Sequence, residues 1–440
     1  MRTPLLSAPR RWKIHEPPLV HGRSADAFVE FRSLHELHRG SRCVVIERMK
    51  TTRRSFVLRA ALPAAFAGLP LASRGARPTG RSEYIAYIGT YTNGKSKGIY
   101  AYRFDSGTGK LSPVGLVAES ASPSFLAVDP NNKCLYAVKE VKTFNGKKAG
   151  AVSAFAIQAG GKLRLLNEVS SGGTGPCHVS VDKTGSDVMV ANYDGGSIAI
   201  LPIEPDGRLK EASAFVQHKG KSVNPERQEA PHAHCIGTSP DNHFVLVADL
   251  GLDEVLIYRF DPARGSVTPN NPPFGKTPPG AGPRHFAFHP NGKFVYVINE
   301  IQCTMTTFAW DPTRGGLTSL QTISTVPKDY KVTKDDSTAE VRVHPSGKFV
   351  YGSNRGPNSI AVFGVDAKKG TLTPIEHAPT QGKTPRGFNL DPSGNYLIAG
   401  NQDSDHIVVF NVDSKTGKLS SAGQNFEVGA PVDVLFVPVK

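Results

Sequence analysis

From residue 84 onward the chain repeats itself about every fifty residues, and that period admits few folds. The clearest copy is a turn ending in a Gly-x-Leu step. It occurs as DSGTGKL at 105–111, QAGGKL at 158–163, EPDGRL at 204–209 and DPARGSV at 261–267, then as DPTRGGL at 311–317, DAKKGTL at 366–372 and DSKTGKL at 413–419. The seven copies are spaced by 52, 46, 58, 50, 55 and 47 residues, the length of one four-stranded blade. A second signal interleaves with the first: a Pro, a short strand, a turn such as His-Pro-x-Gly-Lys, then an aromatic strand. SPSFLAVDPNNKCLYAVKE (122–140), GPCHVSVDKTGSDVMVANY (175–193), GPRHFAFHPNGKFVYVINE (282–300), TAEVRVHPSGKFVYGSNR (338–355) and TPRGFNLDPSGNYLIAGNQ (384–402) are its copies. Each reads as a β-hairpin. Helical periodicity is absent, so the reading is all-β, a seven-bladed β-propeller over residues 81–440.

The ends agree with a closed ring. YIAYIGTY (84–91) has no preceding partner strand, and PVDVLFVPV (431–439) is a lone inner-strand pattern. Pairing the two would complete the seventh blade and remove exposed edges.

Residues 1–80 read differently. They hold 15 Lys/Arg against 5 Asp/Glu, so +10 of the formal +14 belongs to them and +4 to the repeat region. A nearly balanced repeat region gives no electrostatic case for nucleic-acid binding. Thr52-Arg53-Arg54-Ser55-Phe56-Val57-Leu58 has the form of a twin-arginine motif, and the Ala-rich run 60–72, broken by Pro63 and Pro70, follows it. That run is too short to span a bilayer of about 30 Å. The expectation is a leader over 1–80, translated from Met49, cleaved around Ala72–Ala76 and disordered or absent in the mature chain. The protein is then exported, periplasmic or secreted. No CxxC pair occurs among Cys43, Cys134, Cys177, Cys235 and Cys303, which removes zinc ribbons and thioredoxin-type chemistry. Cys134, Cys177, Cys235 and Cys303 are expected to be buried free thiols.

Hairpin geometry places the site. If the strand after each Pro is innermost, the residues that open it and those that end the returning strand ring one mouth of the channel. The opening residues are Ser124, Cys177, His232, Arg284, Glu340, Arg386 and Val432, with His178, His285 and Asp433 beside them. The returning ends include Glu140, Asn192, Asp249, Glu300, Arg355 and Asn401. This set varies from blade to blade and mixes His, Arg and Glu, where turn formation alone favours Asn, Asp, Gly and Ser. Arg284 and Arg355 suit an anion or a developing oxyanion. Glu300 with His232, His234 or His285 suits acid–base work. His178, His285, Glu340, Arg386 and Asn401 are expected to contact substrate. The competing reading is a salt-bridge ring that only stabilises the mouth. His232 and His234 lack a third ligand for a metal, so no metal or cofactor is expected. His289 and His344 read as turn residues of the opposite face. PPGAGPR (278–284) lacks the strand–loop–helix context of a phosphate loop, and no GxSxG elbow is present.

Several segments together resemble the lactonase family of propellers, which includes cyclising 6-phosphogluconolactonases and is related to fungal carboxy-muconate cyclases. They are IGTYTNGKSKGIYAY (88–102), GTGPCHVSVD (173–182), VANYDGGSIAILPI (190–203), APHAH (230–234), VADLGLDEV (247–255) and HPSGKFVYGSNRGPNSIAVF (344–363), with the hairpins quoted above. The resemblance covers roughly 84–437. It implies a metal-independent hydrolase that opens a sugar-acid lactone, or a relative that closes one. A cyclase-type catalytic group of His, Arg, Glu and Arg falls here on His232 or His234, Arg284, Glu300 and Arg355. The chain departs from the pattern at Lys139, where other returning strands carry Asn, and at Lys183, where Pro is usual.

The expectation is a monomeric lactonase acting on a small lactone or anionic sugar acid, without nucleic acid or membrane span. Because the leader reads as exported, a cytoplasmic phosphosugar lactone is not the expected substrate. The rival class is a non-enzymatic scaffold of the YVTN type, which should scatter or neutralise the charges at the mouth.

Overall fold

The computed structural model describes residues 82–439; the expected leader and Cys43 lie outside them. Seven four-stranded antiparallel sheets account for nearly all the described chain, and the helical pieces among these residues are two single 3₁₀ turns. In six of the sheets the strands follow chain order from the inside out, and in the seventh the last strand of the chain is innermost. The inner strands are Leu126–Val128, Pro176–Val181, Ala233–Thr238, Pro283–Phe288, Ser337–Val343, Pro385–Leu390 and Pro431–Pro438. Each touches the inner strands of the two neighbouring sheets, so the ring closes.

The last sheet joins the two ends of the described chain. Pro431–Pro438 pairs antiparallel with Glu83–Thr90, from Tyr84 opposite Pro438 to Ile88 opposite Val434, and Gly98–Asp105 and Lys110–Glu119 complete the blade. Closure therefore follows the pairing expected from YIAYIGTY and PVDVLFVPV.

Packing gives the repeats their meaning. Second strands such as Asp187–Asn192, Phe244–Asp249, Phe294–Asn299 and Tyr396–Asn401 are buried along their whole length, because sheets cover both faces. Four of the turn glycines, Gly109, Gly315, Gly370 and Gly417, receive an aromatic ring from a neighbouring blade: a Cβ on Gly370 would meet Phe294 at 2.4 Å, and one on Gly417 would meet Phe349 at 2.5 Å. Both glycines also have positive φ, 73° and 76°, so two demands select glycine there. The Tyr hydroxyls close the joint, Tyr296 donating to the Gly370 carbonyl at 3.1 Å and Tyr351 to that of Gly417 at 2.9 Å. Burying each such ring contributes on the order of 1.5–3 kcal/mol. His289 and His344 sit in the turns of the far face as expected, and their Nε2 atoms bond the Gly347 and Gly394 carbonyls of the next blade at 2.9 Å. Cys134, Cys177, Cys235 and Cys303 are free and buried.

Candidate active site at the channel mouth

A bulge at the start of the inner strands builds the site. In six blades the ladder slips just after the first or second paired residue. The skipped residues are Cys177, His234, Arg284, Arg386 and Val432, with Ala339 and Glu340 skipped together in the remaining blade. A bulge re-aims its extra residue. Here five of these residues converge on one recess, lined also by Tyr91, Ser124, Phe125 and His285. The bulge also decides between the two candidate histidines. Pro176 and Pro283 occupy the first paired position of their strands, but Ala233 holds that position in the HAHC segment. The residue equivalent to Cys177 and Arg284 is therefore His234, two places beyond the residue that follows Pro231. His232 lies at the rim, stacked on Tyr193 with ring centroids 4.6 Å apart, its Nε2 3.3 Å from Glu229.

Arg284, Glu300 and Arg355 come together. Arg284 is 2 % exposed. Its Nε donates to Glu300 Oε2 at 2.9 Å and its Nη1 to the Ala339 carbonyl at 2.7 Å. Arg355 Nη2 lies 3.0 Å from the same Glu300 oxygen and donates to the Thr338 carbonyl at 2.6 Å. A third cation, Arg227, donates to Glu300 Oε1 at 2.5 Å and to the Tyr193 hydroxyl at 3.2 Å. Burial alone would raise the Glu300 pKa, but Arg355, Arg284 and Arg227 outweigh it and hold the carboxyl well below the usual carboxylate range. Glu300 is thus a fixed anion. It orients three guanidiniums and is far too acidic to shuttle protons near neutrality, which changes the acid–base role expected for it. Three cations on one carboxylate leave an excess of positive charge.

Arg386 adds to that excess. Its guanidinium lies over the Tyr91 ring, 5.2 Å from the centroid, and no described carboxylate lies within salt-bridge distance. Nearby Glu140 is occupied, accepting from the Tyr91 hydroxyl at 3.1 Å and from the Ser124 hydroxyl.

The imidazoles divide the remaining work. His234, 4 % exposed, has its Nδ1 3.7 Å from the Cys177 sulfur, whose S–H points at the backbone carbonyls of Ala233 and His234. That leaves Nδ1–H to donate to sulfur and Nε2 as the basic atom, to which no described group hydrogen-bonds. Burial first, then Arg284 and His285, lowers the His234 pKa well below 6.5, so it is a neutral base. His285 is also neutral, its pKa lowered to about 4 chiefly by burial. Its Nδ1 donates to Glu340 at 3.1 Å and its Nε2 accepts from Arg284 at 3.2 Å, so it fixes Arg284.

Three expected substrate contacts lie elsewhere. His178 does not line the recess: it packs on Phe125 with ring centroids 4.1 Å apart and turns its Nε2 to Cys235 at 3.4 Å. Glu340 lies below the recess, bound to His285 and, at 3.4 Å, to Arg342. Asn401 is fully buried and spends its amide on the Thr380 carbonyl at 3.0 Å; Asn192 and Asn354 do the same with Ser171 and Thr325. In these three blades the returning-strand asparagine is thus spent on the backbone of the segment that enters the blade. Arg227 and Tyr91 were not among the expected residues. The only sequence trace of Arg227 is the 58-residue spacing from 209 to 267, the longest of the six spacings. Among the described residues no three His, Cys, Asp or Glu side chains are grouped as metal ligands.

The expected scaffold arrangement, charges scattered or each cancelled by a neighbour, is not what the mouth shows. The charges are gathered within one ligand's width, and cations outnumber carboxylates.

Comparison with known proteins points the same way. Residues 85–436 match the family model described as lactonase, 7-bladed beta-propeller. The 6-phosphogluconolactonase of Bacillus subtilis is 37 % identical over 308 residues, 70 % of this chain and 85 % of that one. The 6-phosphogluconolactonase of Formosa agariphila is 34 % identical over 309 residues, 69 % of this chain and 85 % of its own. Among solved structures, the periplasmic gluconolactonase of Pseudomonas aeruginosa superposes with a TM-score of 0.77 at 33 % identity, covering 82 % of this chain and all of that one.

Proposed function

Since the chain belongs to the lactonase family of seven-bladed β-propellers, we propose that its mouth recess hydrolyses a sugar-acid lactone, with Arg284 and Arg386 receiving the charge and His234 activating water. The observation that carries this reading is the convergence of the bulge residues Arg284, Arg386 and His234 on one recess. His234 Nε2 takes a proton from water as the hydroxide oxygen adds to the lactone carbonyl. The resulting oxyanion forms beside Arg284, whose geometry Glu300 and Ala339 have already set, so little reorganisation is needed. Collapse breaks the ring C–O bond, and the imidazolium returns its proton to the departing alkoxide. Water and lactone become one hydroxy acid, whose carboxylate remains opposite the arginines.

The leader motif and the relatives bear on the substrate and its location. Two relatives are named for 6-phosphogluconolactone, and a structural neighbour of like identity is named a periplasmic gluconolactonase. With the twin-arginine pattern at 52–58, this supports an exported enzyme of carbohydrate metabolism acting on a non-phosphorylated aldonolactone. The test is a side-by-side rate comparison of glucono-δ-lactone and its 6-phosphate with the full chain. A higher kcat/KM for the unphosphorylated lactone is expected; a strong preference for the phosphate would reverse the substrate assignment and leave the lactonase chemistry standing.

A further inference from the structure

We propose that Asp253 is a positioning residue for this site, a buried carboxylate that clamps two mouth loops together and so delivers Arg227 to Glu300. The inference rests on the lactonase reading for its activity arm. Asp253 lies in the turn after the second strand Phe244–Asp249, is 5 % exposed, and carries a positive φ of 56°. Both its oxygens are fully engaged. Oδ1 accepts from Gln228 Nε2 and from the Gly282 amide, each at 2.8 Å. Oδ2 accepts from Ser222 Oγ at 2.5 Å and from the Gly280 amide at 2.7 Å.

These four donors come from two different segments of the chain. Ser222 and Gln228 belong to the loop 218–232, which carries Arg227. Gln228 also organises that loop: its backbone bonds Ser222 and Asn224, its Oε1 accepts from the Asn224 amide at 3.1 Å, and its Nε2 reaches the Leu250 carbonyl at 2.8 Å. Gly280 and Gly282 belong to the segment that enters the Arg284 strand, and the Gly282 carbonyl accepts from the Glu300 amide at 2.7 Å. One carboxylate therefore fixes the loop bearing Arg227 against the segment that holds Arg284 and Glu300. The neighbouring Asp249 pins the loop's two ends, binding His218 Nδ1 at 2.6 Å and the His232 amide at 2.7 Å, so Asp253 governs the span between them. Arg227 has no counterpart in other blades, and the clamp is what makes so long a loop a dependable source of charge.

Asp253→Asn is a clean probe. Asn tolerates the left-handed backbone, keeps the volume, and presents an NH₂ to one of the two donor pairs. In the full chain it is expected to speed amide hydrogen exchange across residues 219–231 and to lower kcat/KM for glucono-δ-lactone by about ten-fold, the same as Arg227→Ala. The double variant should lose no more than either single one. Ser222→Ala, which removes one of the four bonds, should raise exchange in the same segment by less and serves if Asp253→Asn folds poorly. Unchanged exchange, or losses that multiply in the double variant, would overturn the clamp. A wild-type chain that opens no lactone overturns the lactonase reading alone, and the exchange comparison then decides the clamp by itself.

Discussion

Arg284 and Glu300 meet at 2.9 Å across the first hairpin of a single blade, the arginine skipped by a bulge at the start of the inner strand and the glutamate just past the end of the second. The pair is buried, and the carboxylate serves Arg227 and Arg355 as well. Glu300→Gln leaves three guanidiniums without their shared counter-charge, so stability to denaturant should fall by about 3–5 kcal/mol. The pH dependence follows from the lowered carboxyl. Its contribution is present above the unfolded value of about 4.3 and is lost only as pH falls through the lower folded value. Urea melts of both proteins should therefore differ fully at neutral pH and converge only in strong acid.

Arg386 has an aromatic ring beside it and, among the described residues, no carboxylate within salt-bridge distance. Arg386→Leu should raise KM for an anionic lactone, or Ki for the product hydroxy acid, by about 10- to 100-fold, the worth of one charge-assisted hydrogen bond. The melting temperature should hold or rise, because no buried anion is orphaned. A large loss of stability would show that Arg386 is structural.

His234 should stay neutral well below the pH at which an ordinary imidazole protonates. Between about pH 7.5 and about pH 6 an imidazole of pKa 6.5 would lose roughly four-fold in kcat/KM; a flat profile is expected instead. His234→Gln should remove most of kcat with KM little changed, whereas His232→Gln, at the rim, should be mild.

Asp433 is buried in the inner strand Pro431–Pro438, with its pKa raised to about 7 mainly by burial, although its oxygens accept from the Leu126 and Val434 amides at 2.9 Å. A raised acid favours the fold at low pH and loses that contribution as pH climbs from about 3.9 to its folded value. Asp433→Asn should therefore gain on the wild type by several degrees in Tm between about pH 5 and about pH 8. A difference that does not move with pH would contradict the assignment.

Much of this was legible in the chain itself. Glycine turns and aromatic strands repeat because four of the turns seat a ring from the neighbouring blade, as Gly370 does Phe294 and Gly417 does Phe349, so the period reports the fold directly. Arg284, Glu300 and Arg355 could be gathered from hairpin geometry alone, since both ends of a hairpin share a face. The choice between His232 and His234 stayed open because of one structural detail: Pro231 stands two residues before Ala233, which holds the place of Pro176, so counting from the proline alone lands on His232. Asn401 misled for the opposite reason. Its identity with Asn192 and Asn354 marks a backbone bond that recurs in three blades, whereas a site shows where blades differ. Arg227 had no counterpart to be compared with, and only three-dimensional proximity reveals it.

The most direct test is a pH-stat assay near pH 6 of glucono-δ-lactone opening by the full chain and by Arg284→Ala. The account predicts opening well above the buffer rate, reduced about 100-fold or more in the variant. Opening at the buffer rate, or at equal rates in both proteins, would contradict it.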